Sequence, residues 1–177
     1  MNYIIKEIPN IEMIIILNLN NNTKDFNLIK DLKILIKELN LENNIKIIEN
    51  FSNYQTYLKN SSLHIITSVD ESFPFVLSET KLYGIPNVVS GLDYIPNSKE
   101  GVIFTNDDQP ETIAKEAIKI LKDGQYKKKL GKEARESMKN FKNELTSKKW
   151  IKVLSSIYNE DENYNYFINK FQNISKN

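Results

Sequence analysis

"ESFPFVLSETKLYGIPNVVS", residues 71–90, decides how the chain is read. It follows a short apolar run, "SLHIITS" (62–68), and closes on another, "NVVS" (87–90). Between them "PFVLSETKLYG" has helical spacing, with Gly84 as its stop and Pro86 beyond. The order is strand, helix, strand, so residues 68–73 sit at the carboxyl end of a strand. Open α/β sheets bind ligands at that edge. Pro74 suits the first helical turn, because its missing N–H would be an orphan there anyway. Ser72 is the candidate N-cap. The N–H groups from Phe73 to Val76 then point outward, an arrangement suited to a phosphate. Glu71 stands on the loop before them, and Glu79 lies about a turn and a half inside the helix. Carboxylates accept hydrogen bonds from vicinal hydroxyls. The corner therefore suits a diphosphate with a sugar on one side and a ribose on the other. The plainer alternative is a surface pair of acids near a helix start, where acids are favoured in any case.

The same alternation runs outward in both directions. "MIIIL" (13–17) reads as a buried strand closed by the asparagine-rich 18–22 loop. "FNLIKDLKILIKEL" (26–39) has helical spacing, "IKII" (45–48) is a strand, and "YQTYLKN" (54–60) is a short helix. "GVIF" (101–104) is a fifth strand. From Pro110 the pattern is helical, through "PETIAKEAIKILKD", "YKKKLGKEARESMKNF" and "ELTSKKWIKVLSSIY". Short strands separated by helices argue for a Rossmann-like parallel sheet with helices on both faces and a C-terminal helical extension. The expected domain spans 1–158, and the polar, aromatic tail spans 159–177.

Bulk properties narrow the function classes. The 177 residues carry a formal net charge of +1, with 40% hydrophobic and 27% charged residues. A nucleic-acid binder would show a marked basic excess. Cysteine is absent and His64 is the one histidine, so thiolate chemistry and a multi-histidine metal site are excluded. No apolar run reaches the roughly 20 residues of a membrane span, and no leader pattern opens the chain. The expected setting is the cytoplasm.

Residues 71–90 resemble the E-x7-E signature of retaining glycosyltransferases of family 4, which have the two-domain GT-B fold. Glu71, Phe73, Glu79, Gly84, Pro86 and the valines that follow fall on that pattern. The resemblance extends over roughly residues 13–158. It implies one GT-B half, the donor-binding domain, acting on a nucleotide-diphosphate sugar and a glycan or lipid-linked acceptor. It implies no cofactor and no bound metal ion. By the same resemblance Glu71 touches the transferred sugar near the reacting centre. Backbone groups at Ser72 and Phe73 bind sugar hydroxyls. The helix start, Pro74, Phe75, Val76 and Leu77, faces the diphosphate, and Glu79 binds the ribose diol.

The chain departs from the family in ways that set further expectations. The family's donor domain opens with a strand and a basic loop that neutralises the diphosphate. Here "MNYIIKEIPNIEMIIILN" resembles the end of the next helix followed by the second strand. The domain is thus expected to be incomplete at its N-terminus and, alone, nearly inactive. Two alternatives accompany this. One is a partial domain that binds a separate acceptor-domain chain. The other is a nucleotide-sugar epimerase of the same fold. His64, mid-strand, is expected as a packed side chain rather than a base. Phe26, Phe51 and Phe141 are expected in the core, and Trp150 as a core or crossing-helix anchor. The lysine-rich segments 126–135 and 147–152 would suit peripheral contact with an anionic membrane, but such runs are more commonly solvated helix faces.

Overall fold

The computed structural model describes residues 1–17, 23–49, 53–68, 71, 74–91, 99–141 and 143–157. The elements follow in the order α1 (Asn2–Glu7), β1 (Met13–Leu17), α2 (Thr23–Glu38), β2 (Ile45–Glu49), α3 (Gln55–Asn60), β3 (His64–Ile66) and α4 (Phe75–Leu82). Then come β4 (Asn87–Ser90), β5 (Val102–Thr105), α5 (Pro110–Lys122), α6 (Gly124–Ser137), a 3-10 turn (Met138–Phe141) and α7 (Asn143–Ile157). The 18–22 loop, Phe51 and the 159–177 tail lie outside the described residues.

All ladders are parallel. β1 pairs β2 with Met13 opposite Ile45, and β4 lies between β3 and β5. The expected single sheet is drawn as two pieces: among the described residues no ladder joins β1 to β3. β4 is buried along its whole length, whereas every residue of the apolar run Met13–Leu17 stays half-exposed.

Alternation along the central strands covers both faces with helices. Val89 and Ile66 pack with Leu77 of α4 on one side. Val88 meets Ile120 of α5 and Leu130 of α6 on the other. α1 joins the second layer through Ile4, which is buried with Ala114 and Ala117. Pairs between Tyr3 and Glu111 and between Glu7 and Lys122 hold it along α5. α4 ends in a Schellman motif: Ile85 N–H donates to Thr80 O, Gly84 N–H to Lys81 O, and Gly84 has φ +71.

Three core expectations need attention. Phe26 is 56% exposed, Phe141 43% and Trp150 60%. Burial in α2 falls instead on Ile29 and Ile36. Helical spacing places an aromatic on a stripe but does not say which stripe meets a neighbour. α7, which carries Trp150, packs mainly on the 3-10 turn, so much of its apolar surface faces outward.

His64 is packed, as expected. Asn87 Nδ2 donates to Ile85 O, which leaves Oδ1 to accept from Thr80 and from His64 Nδ1 at 2.8 and 2.9 Å. Nδ1 therefore carries the proton. Burial holds the imidazole below its ordinary value of 6.5, and the Asn87 bond offsets this only in part. The unfolded chain thus takes up the proton first as pH falls. Stability is full above 6.5 and declines from there toward the lower folded-state value. Thermal melts across that window are expected to fall in Tm with acidity, and less steeply in His64→Gln. Equal slopes would show that the ring titrates alike in both states.

Candidate functional site

The corner forms where β3 ends and α4 begins. Ser68, just past β3, donates from its hydroxyl to Glu71 Oε1 at 2.7 Å and so orients that half-buried carboxylate. Pro74 is buried and stands one place earlier than expected, at the N-cap of α4 rather than in its first turn. The ring sets φ at −75°, which either position accepts; a ψ of 93° puts Pro74 outside the helix.

Ser72 and Phe73 lie outside the described residues. Among those described, no side chain caps the α4 N-terminus. Phe75 is 74% exposed and Val76 is exposed beside it. Leu77 differs from them. Its side chain is in the core, and its N–H donates to Pro74 O at 3.0 Å. It anchors the helix start and offers no donor outward.

Glu79 is half-buried and accepts a hydrogen bond from the Tyr54 phenol. That bond, with a smaller contribution from burial, raises the Tyr54 pKa above 10.0. Tyr54 immediately precedes α3, on the connection that leaves β2. The connection after β2 and the helix after β3 therefore meet at Glu79. Sequence reasoning did not single out Tyr54 or the Ser68 hydroxyl. The one signal available was position: both follow strand carboxyl ends, where side chains converge.

The arrangement is two carboxylates, each held by a hydroxyl donor, one before the start of α4 and one inside it, and among the described residues no side chain caps that start. It can accept bonds from hydroxyls at two points and present backbone donors between them.

Solved structures share this architecture. The Anabaena protein Alr3699/HepE, solved in complex with UDP, matches with a TM-score of 0.74 at 20% identity, over 88% of this chain and 45% of that one. A glycosyltransferase from Rickettsia africae matches at 0.73 and 18%, over 90% and 45%. The C-terminal domain of a glycosyl transferase group 1 protein (LpcC) from Francisella tularensis matches at 0.63 and 14%, over 77% and 72%. Fold and family model together define a GT-B glycosyltransferase domain. The chain belongs to the family described as glycosyl transferases group 1, whose model matches residues 6–137. It is 28% identical over 134 residues to N-acetyl-alpha-D-glucosaminyl L-malate synthase of Bacillus anthracis, covering 73% of this chain and 35% of that protein. The chain thus spans about a third of this curated relative and under half of the first two structures.

Proposed function

We propose that this chain is the donor-binding domain of a retaining, family 4 type glycosyltransferase that moves a hexose from a nucleotide-diphosphate sugar to a glycan or lipid-linked acceptor. The observation that carries the reading is the pair of oriented carboxylates, Glu71 on Ser68 and Glu79 on Tyr54, flanking the α4 N-terminus. Glu79 takes the ribose diol and Glu71 the transferred sugar. Backbone groups of Ser72 and Phe73 take sugar hydroxyls, and the helix start from Pro74 to Leu77 faces the diphosphate with the N–H groups of Phe75 and Val76, since Pro74 has none and Leu77 N–H is turned to Pro74 O. Fixed dipoles there stabilise the charge that develops on the leaving diphosphate. The working setting is the cytoplasm, and no cofactor beyond the donor is called for.

A second reading is that the domain works with an acceptor domain on a separate chain. In either case, transfer by these 177 residues alone is expected to be slight, because positioning of the acceptor supplies up to roughly 7–11 kcal/mol of the barrier.

The test is calorimetry with UDP and GDP. Glu79→Ala is expected to weaken binding by about 1–3 kcal/mol, the scale for leaving bonding groups unpaired. Tyr54→Phe, which frees Glu79 to turn, is expected to lose about 0.5–1.5 kcal/mol. Equal affinities for wild type and Glu79→Ala would remove Glu79 from the site.

A further inference from the structure

A second concave surface lies at the other end of α4. His64 N–H donates to Pro86 O, so Ser61, Ser62 and Gly84 lie on the amino side of β3 and β4. Together with α6 they enclose a groove of about 530 Å³. α4 has eight residues, about 12 Å of helix, separating this groove from the Glu71 corner. Lys127, Lys128, Lys132, Arg135 and Lys139 line it, against the single carboxylate of Glu136. The whole chain carries only +1, so this concentration does not reflect a generally basic protein.

The placement of these cations is unfavourable for α6 by itself. Lys128, Lys132, Arg135 and Lys139 recur at intervals of three and four, forming one stripe along α6 and into the 3-10 turn. Like charges at that spacing destabilise a helix. Among the described residues Lys132 is the member of the stripe with a counter-charge, Glu136 at 4.0 Å. Among the described residues Lys127, Lys128 and Lys139 form no ion pair.

The wall of the groove is also held in place. Arg135 donates to Tyr83 O at 2.8 Å, and its guanidinium packs against Gly84. A Cβ at Gly131 would lie 2.3 Å from Gly84 O, so glycine lets α6 close onto the turn after α4. One cation is thus fixed beside two serines, with flexible lysines around it. A planar guanidinium flanked by ammonium groups and the Ser62 hydroxyl is a donor set for phosphate oxygens, while the Ser61 hydroxyl is turned to Tyr57 O at 2.8 Å.

We propose that this groove binds a phosphate-bearing anion at a site separate from the α4 N-terminus. The headgroup of an acidic phospholipid and a free phosphorylated small molecule share this chemistry. The test has two arms: calorimetry with inorganic pyrophosphate, and co-sedimentation with phosphatidylglycerol vesicles against phosphatidylcholine vesicles. Binding in the first arm alone identifies a soluble ligand; binding to the anionic vesicles identifies a headgroup. In either case Lys128→Gln/Lys132→Gln/Lys139→Gln is expected to weaken it by roughly tenfold or more, since each lysine near an anionic surface contributes a few-fold. Lys148→Gln/Lys149→Gln/Lys152→Gln, on the exposed side of α7, is expected to leave it unchanged, as is saturating UDP. The proposal is overturned if neither probe binds, if both triple variants lose binding equally, or if UDP displaces the anion.

Discussion

Gly101→Ala is expected to lower folding stability by about 2–5 kcal/mol, the sum of a left-handed backbone penalty and an overpacking cost. Gly101 has φ +73, where a side chain is strained. A Cβ there would also lie 2.3 Å from Ala134 Cβ and 2.6 Å from Ala134 Cα. Ala134 is fully buried on α6, which closes over the turn leading into β5. Neither side can yield easily: one is backbone, the other a helix seated on the core through Leu130. Gly91→Ala separates the two contributions. Gly91 has φ +58 and, among the described residues, nothing within 4 Å of a Cβ, so it tests the backbone penalty. Urea unfolding of the two variants is the measurement. Equal midpoint shifts would mean that α6 does not press on Gly101. Since domains are stable by only about 5–15 kcal/mol, the larger loss would be evident in expression as well.

Glu71→Gln is expected to cut sugar transfer by roughly 100-fold or more in the complete enzyme, the scale for removing one group that stabilises charge at the reacting centre. UDP affinity is expected to stay within about twofold, well under the tenfold that 1.4 kcal/mol would give. The amide keeps the shape of the carboxylate and can still accept from Ser68, so the loop geometry is retained. What is lost is the negative charge that the proposed function sets beside the transferred sugar. Glu79→Ala should show the opposite pattern, with binding of the nucleotide weakened first. Radiolabelled transfer from a panel of nucleotide sugars, read beside UDP calorimetry, distinguishes them. If Glu71→Gln loses UDP affinity and transfer in equal measure, Glu71 holds the nucleotide and the two roles proposed here must be exchanged.

Much of the architecture was legible along the chain because it rests on local chemistry. Met13–Leu17, Asn87–Ser90 and Pro110–Lys122 form the elements their patterns indicate, within a residue at each end. Gly84 ends α4 because only glycine takes its φ without cost. The strand–helix–strand order by itself puts Glu71 and the start of α4 at one sheet edge. Boundaries that depend on neighbours shifted: β3 is cut to His64–Ile66, and α2 begins at Thr23 rather than Phe26.

Sequence by itself thus determined the element order, the parallel α/β class and the two acids at a strand's carboxyl end. Each follows from the periodicity of side chains and the punctuation of glycine and proline. The tertiary structure decided which groups meet. It brought Tyr54 to Glu79 across 25 residues, and set Asn87 between His64 and Thr80. It left Trp150 and Phe26 facing outward, and gathered the cations of α6 around a groove at the far end of α4. The physical reason is the same in every case. Periodicity tells which side chains share a stripe, but contact depends on what packs opposite that stripe, and this is a property of the whole sheet.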